Sequence, residues 1–411
     1  MTAFGLGVWV LETTGEATPF LLIALFNAIP TFALSPVAGA IVDRWDRRRV
    51  MSGADVGSAL VTVGLLALFA SGNLQAWHLY VGSFTGSVLS IFQNLAYTTS
   101  VTSLVPKQHY SRANAMVQTA QSFGFILSPI LGAALYALSG LNGIFFIDLA
   151  TFAVAVSTLL IVRIPQATRD GSQGPTTVAA DIREGFQYVR NKPGLIGLAL
   201  MMATINLLIS ASTALSSPMI LGFSTVQVLG LVNGISSIGL LVGGLLVSAW
   251  GGPSRKVLAI SLSAITSGIG LAIVGLRPNP VLIGFGFFLF MLPITLVNSS
   301  IRAIVQTKVP STIQGRVFSL IFMTARAGMP VGLLAAGPLA DKVFEPAMAA
   351  GGRLATGPLG ALLGVGPGRG IGLMLVLGGL GMVLAVLGMT SYPRLRKIES
   401  EMPDIEEDSE G

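Results

Sequence analysis

The sequence predicts an all-α protein that crosses the membrane many times and is built from two six-helix halves. Three observations predict this. Of 411 residues, 52% are apolar and only 10% are charged. Soluble domains carry about 25% charged residues, so lipid must be the solvent for most of this chain. Second, long runs hold no Asp, Glu, Lys or Arg at all: 19–42, 56–106, 113–147, 193–254, 257–276, 278–301 and 370–393. Third, the halves repeat. Val105-Pro106 followed by Arg112 is echoed by Val309-Pro310 followed by Arg316 at an offset of 204. Gly39 and Asp43 fall on Gly244 and Ser248 at an offset of 205. A same-orientation repeat implies a pseudo-two-fold axis along the membrane normal.

The charge-free runs set the elements in order. A spanning helix needs roughly 20 apolar residues, so 56–106 and 193–254 each hold two spans, while 113–147 and 257–276 hold one. Barrel strands would instead show ~10-residue alternation. The predicted helices are 1–11, 19–42, 51–71, 77–104, 113–138, 143–163, 195–220, 226–250, 257–276, 281–305, 317–339 and 371–391. Glycine (50 residues) and proline (21) run through them. Both are commoner in membrane helices than in soluble ones, and glycine permits close helix contact. Ser128-Pro129 and Gly132 mark a pliable or kinked stretch of the fifth helix.

Lysine and arginine orient the chain. If the 43–50 loop is cytoplasmic, that side holds nineteen of them and the opposite side four, Arg277, Lys342, Arg353 and Arg369. By the positive-inside rule both termini of the full-length protein lie in the cytoplasm of a cell-membrane protein. The organisation reads as an N-terminal half 1–163, a linker 164–194, a C-terminal half 195–393 and an acidic tail 394–411. In the linker, 178–191 places Val178, Ile182, Phe186 and Val189 on one helical face, an amphipathic surface helix. The connection 340–370 contains an apolar stretch, 354–365, too short to span and therefore re-entrant or interfacial. The tail beyond 398 is acidic and reads as disordered.

Other classes fall away. There is no cysteine, hence no disulfide, thiolate site or cysteine nucleophile. Two histidines, His78 and His109, cannot build a histidine-rich metal site, and no HExxH occurs. The sequence predicts no catalytic residues, cofactor or metal. The net charge of +6 sits between spans and so points away from nucleic acid. No cleavable signal is visible.

At the end of the second helix stands Gly39-Ala-Ile-Val-Asp43-Arg44-Trp45-Asp46-Arg47-Arg48-Arg49. It resembles motif A of the major facilitator superfamily, G-x-x-x-D-R-x-G-R-R. The stretches LVPKQHYSRANA (104–115), DIREGFQYVRNKPG (181–194) and VPSTIQGRVFSL (309–320) resemble the branch containing macrolide-efflux and enterobactin-export carriers. Two departures stand out. Asp46 replaces the motif's glycine, which suggests a different turn geometry, and the fourth-helix arginine motif of many proton-coupled members has no match. The resemblance implies that Gly39 permits close helix packing. It also places Asp43, with Arg44, Arg47 and Arg48, in a conformational latch against the start of the eleventh helix near Gly315–Ser319. A carboxylate at a helix N-terminus is favourable by roughly 0.3–1 kcal/mol. The plainer alternative for the arginines is a positive-inside anchor.

Ionisable residues inside the membrane are costly, so each is a candidate site. Arg326 lies ten residues beyond Arg316, roughly 15 Å deeper at 1.5 Å per residue; it is a substrate or coupling cation, or else a structural partner of a carboxylate or backbone carbonyls. Asp148 is a weaker candidate, with a structural role the more economical reading, and Asp55 belongs with the motif A charges. Asn27, Gln93, Gln118, Gln121, Asn206, Asn233 and Asn298 either line a cavity or bond across helices. The resemblance implies a monomeric carrier that moves a small molecule, with protons as the driving ion and export of drug-like or amphipathic molecules as the direction. Alternatives are siderophore or lysophospholipid export, uptake symport, and a carrier-derived sensor or scaffold that moves nothing. Finally, Met1–Leu11 matches only the outer half of a first span, so the sequence predicts a misplaced start with roughly 20–30 upstream residues.

Overall fold

The computed structural model describes residues 2–42, 45–104, 110–161, 186–253, 255–309 and 314–390. Among them there is no strand. Seven helical segments are long and apolar enough to cross a membrane: Arg47–Ala70, Leu127–Ile161, Gly194–Leu221, Val226–Trp250, Lys256–Leu276, Pro280–Val305 and Arg369–Thr390. The chain divides into two compact units, Met1–Gly174 with Thr225–Gly230, and Pro175–Ser224 with Leu231–Gly411.

The first unit contains α1 (Thr2–Thr14), α2 (Ala17–Val42), α3 (Arg47–Ala70), α4 (Ala76–Leu104) and α5 (Tyr110–Ile161). The predicted fifth and sixth spans are one near-continuous element, interrupted at Gly140. There φ is 60° and ψ −153°, a conformation only glycine adopts without strain. No loop is needed to separate the two arms. Leu6, Val10, Ile23, Leu65, Leu79 and Phe145 form one core of this unit. Phe69 meets both Trp9 and Phe145 edge-on at 6.3 Å. Tyr136 Oη donates to Glu12 Oε2 at 2.6 Å, fastening α1 to α5.

The second unit contains α6 (Pro193–Leu221), α7 (Val226–Trp250) from Leu231 onward, α8 (Lys256–Leu276), α9 (Pro280–Met291), α10 (Ile294–Lys308) and α11 (Gln314–Leu339). A π-helical turn (Ala340–Phe344), α12 (Glu345–Met348), α13 (Pro358–Leu363) and α14 (Arg369–Thr390) complete it. The predicted tenth span is two helices, because Pro293 interrupts the hydrogen-bond ladder between α9 and α10. Asn279 caps α9 by accepting from the amides of Val281 and Leu282.

Of the linker's predicted face, Val178 and Ile182 lie outside the described residues. Its described portion begins at Phe186, which is 54% exposed, whereas Val189 is buried against Leu195, Val305 and Val309. The two side chains do not share an environment, because this end of the linker packs into the second unit's core. Tyr188 Oη donates to Lys308 O at 3.4 Å, and burial raises that phenol above its ordinary pKa.

Between 340 and 369 the chain is ordered into a cap on the ends of α8, α11 and α14. Met348, Leu363 and Leu373 form its buried core, with Phe344, Leu354, Leu276 and Val376 around it. Glu345 holds the start of α14, accepting from Gly368 N at 3.1 Å and Ile371 N at 2.8 Å. A carboxylate there satisfies orphan amides and complements the helix dipole. Arg369 is fully buried; its Nη1 donates to Gly275 O and Leu363 O, and its guanidinium lies 5.5 Å from the Phe223 ring centroid. Cation–π attraction thus covers one face of that charge.

Backbones meet directly within this unit. A Cβ on Gly268 would lie 2.8 Å from Gly379 O, and one on Gly372 would lie 2.9 Å from Gly275 O. The contacts are reciprocal, with Gly379 against Gly268 O and Gly275 against Gly372 O. Two glycines seven residues apart on α8 thus oppose two on the antiparallel α14. On the other side of α8, Gly270 and Gly286 meet in the same way across α9, at 2.7 and 2.8 Å from the opposing carbonyl oxygens. Ser267 Oγ adds a bond to Phe290 O at 2.8 Å. On α7, Gly239 and Gly243 abut the carbonyls of Phe288 and Leu292, where the tenth span bends.

Replacing Gly275 with leucine should therefore force α8 and α14 apart. The expected loss is about 1–3 kcal/mol or more, read as a lowered thermal midpoint of the detergent-purified protein. Gly381→Ala, where a Cβ meets nothing within 4 Å, should be neutral or slightly stabilising.

Candidate functional site

Two features of the first unit bear on function: the loop after α2 and a polar cleft between α2 and α4. Asp43, Arg44, Pro106 and Pro310 lie outside the described residues, as do the side chains of Gln118, Gln121, Arg112 and Arg316 and the surroundings of Gly39.

The departure from motif A at Asp46 has a local explanation. Asp46 is the N-cap of α3, with extended backbone (φ −63°, ψ 114°), and its Oδ1 accepts from Arg49 N at 2.9 Å. An aspartate cap satisfies an orphan amide as glycine cannot. Arg47 then opens α3. Arg48 turns to the end of α5, where Nε donates to Leu159 O at 2.6 Å and Nη2 to Leu160 O at 2.5 Å. A forked cation therefore caps the final carbonyls of that helix, a position favoured by the dipole. This role is more specific than that of a positive-inside anchor.

Asp55 is 2% exposed, and its described partner is an amide: Gln93 Nε2 donates to Asp55 Oδ1 across α3 and α4. Gln93 is thus a bond across helices rather than a cavity lining. Asp148 is likewise engaged, accepting from Thr62 Oγ1 at 2.9 Å. Of the remaining amides, Asn206 bonds back to Met202 O, Asn233 O accepts from Ser237, and Asn298 is exposed on α10.

Arg326 is exposed midway along α11 and has no hydrogen bond or ion pair among the described residues. At the Arg48, Arg277 and Arg369 sites the guanidinium serves a carbonyl; Arg326 differs from them in this.

The residue beside Gln93 serves a different neighbour, α2 rather than α3. Asn94 joins Ser87, Ser90, Gly86, Ile91 and Leu95 of α4 and Asn27 and Thr31 of α2 around a cavity of about 310 Å³. Ser87 Oγ donates to Asn27 O at 2.6 Å and lies 3.3 Å from Thr31 Oγ1. Ser87 and Ile91 are buried and form its floor, while Asn27, Thr31, Ser90 and Asn94 are exposed at its walls. These described walls offer hydroxyl and amide groups with no charge. Such a cleft can hydrogen-bond an uncharged polar part of a ligand and pack its apolar part on Ile91 and Leu95. Of this set only Asn27 is among the sequence-predicted candidates; Asn94, also an amide, is not. The others follow a readable rule: Ser87, Ser90 and Asn94 recur at i, i+3 and i+7, and Asn27 and Thr31 at i and i+4, each a single helical face.

Residues 1–333 match the Major Facilitator Superfamily. The chain belongs to that superfamily. It is therefore a multi-pass membrane transporter that handles a small molecule. Over 348 residues it is 30% identical to macrolide efflux protein A of Streptococcus pyogenes, covering 82% of this chain and 84% of that protein. It is 25% identical to the multidrug efflux pump Tap of Mycolicibacterium fortuitum, covering 81% and 83%. Its fold is shared with the nucleoside transporter NupG (TM-score 0.64, 17% identity, 95% and 97% covered). A bacterial homologue of the lysosomal transporter Spinster in an inward-facing conformation also matches (TM-score 0.64, 14% identity, 96% and 94% covered).

If Arg48 caps α5, Arg48→Ala should lower the thermal stability of this transporter by about 1 kcal/mol or more. Arg48→Lys should restore only part, since one ammonium cannot fork to two carbonyls. Equal midpoints for all three proteins in detergent would contradict this role.

Proposed function

We propose that this transporter exports drug-like or amphipathic molecules across the cell membrane, driven by protons moving inward, and that it works as a monomer by alternating access. The observation that carries the reading is the similarity to macrolide efflux protein A over 82% of the chain. The uncharged cleft between α2 and α4 supports it, since a neutral polar lining suits molecules with hydroxyl groups and apolar bodies. In this reading the Arg47–Arg49 side faces the cytoplasm, as do both termini.

Within the cycle, Gly39 and Asp43 act as the latch that the resemblance implies, with Arg44 in the same loop. Arg48 supports that loop from the end of α5. Arg326 carries the exposed positive charge in mid-helix, and its role is contact with substrate or coupling to the ion. A residue that biases one of two states changes rates without contacting substrate.

The test is reconstitution into proteoliposomes with an imposed pH gradient and a fluorescent macrolide, a dye substrate and a siderophore as probes. Proton-driven movement of the macrolide or dye is expected. Movement of the siderophore alone would favour that branch, and movement of nothing would favour a sensor or scaffold. Asn94→Ala should raise the apparent KM several-fold, and Arg326→Gln should abolish transport with insertion intact.

Asp43→Asn should leave the protein inserted but lower transport strongly, because it removes charge while conserving volume. The chain's lack of cysteine allows two introduced thiols to report opening by spin–spin distance. An unchanged distance distribution in Asp43→Asn would refute the latch.

A further inference from the structure

We propose that α13, in the cap of the second unit, is a foot that enters the interfacial layer of the bilayer. Its occupant is lipid, at the boundary of headgroups and acyl chains, in the leaflet at the end of the unit away from Arg190, Lys192, Arg255 and Lys256.

The helix Pro358–Leu363 has two apolar faces. Gly360 and Leu363 point into the cap's core. Leu359 (38%), Leu362 (55%) and the following Val365 (46%) are exposed. An extramembrane loop in water would carry polar residues on that second face. Instead, the whole stretch 354–365 contains no charge.

The backbone gives an independent indication. The last carbonyls of a helix have no intrahelical partner, and in water they bond to solvent. Here Arg277 Nη2 donates to Ala361 O at 2.9 Å and Arg369 Nη1 to Leu363 O at 3.2 Å. Gly364 N closes on Gly360 O at 2.9 Å, and Gly366 N reaches back to Met348 O at 3.2 Å. Internal satisfaction of this kind is what a lipid environment demands of a helix end. Arg277 and Arg369 thus each donate to a carbonyl of the foot itself.

Position agrees with chemistry. α13 packs on α8 and α14, spanning helices whose outward side chains Ile269, Leu377 and Leu380 are exposed and apolar. The foot is thus attached to helices that themselves expose apolar side chains. The same cap meets the end of α6, where Gly368 lies against Met219 O and Phe223 lies against Arg369. A lipid-held foot thus anchors the ends of three spanning helices to the bilayer surface.

Leu362→Cys and Val365→Cys, each the sole thiol of its variant, would carry a nitroxide label in nanodiscs of phosphatidylethanolamine with a minor share of phosphatidylglycerol. Ala350→Cys in the exposed turn after α12 and Leu384→Cys on the outward face of α14 serve as aqueous and acyl-chain references. Power saturation with oxygen and with a water-soluble nickel chelate should place both foot labels between the references, with oxygen-to-nickel ratios several-fold above that at 350. Ratios equal to that at 350 would overturn the proposal in favour of a water-facing cap. Low accessibility to both reagents would also overturn it, by assigning the face to a protein partner. Leu359→Cys provides the same readout if either foot variant fails to insert as a monodisperse protein.

Discussion

Direct contact between helix backbones at glycine is the constraint on which the second unit depends. Lipid gives spanning helices no hydrophobic reason to associate, because the acyl chains are as apolar as leucine. Dispersion forces must then supply the attraction, and these fall off steeply with separation. The paired glycines of α8 and α14 bring the main chains close enough for such contacts to accumulate over two full turns. At the end of that pair, the carbonyls of Gly275 and Leu363 both accept from Arg369 Nη1. Glu345, α12 and α13 assemble around that buried charge, so the cap's geometry descends from the helix pair beneath it.

Polar chemistry in the first unit is divided by helix face. On α4, adjacent residues serve different ends: Gln93 ties Asp55 of α3, while Asn94 opens onto the cleft shared with α2. One helix thus joins a structural seam to a candidate ligand surface with a rotation of one residue between them. The motif loop behaves similarly. Asp46 and Arg48 are spent on helix ends, which fixes the loop's entry into α3 and its hold on α5.

Much of this was legible in the sequence, for physical reasons. Lipid imposes a long apolar run on every spanning helix, so charge-free stretches locate spans well. Family membership was legible because the Gly39–Arg49 pattern combines spacing with charge. The breaks were less so. Gly140 removes a loop between two spans, and Pro293 divides one span in two, yet both residue types are scattered through helices that run straight past them. The cleft is less legible because serine and threonine are common in membrane helices; their helical spacing, not their identity, carries the signal. Likewise, Val189 and Phe186 share a predicted face, and only the core beneath Val189 separates them.

The bend at Pro293 has a consequence for how such a sequence can vary. The carbonyl of Leu292 sits against Gly243 of α7, so the bend in one helix occupies the space that the missing side chain in the other leaves. Neither residue is independently exchangeable. A side chain at 243 would collide with the bent backbone, and a straightened helix would abandon the hollow at 243. Bend and hollow therefore form a single heritable unit, and in descendants of this chain substitutions at 243 and 293 should arrive together or not at all.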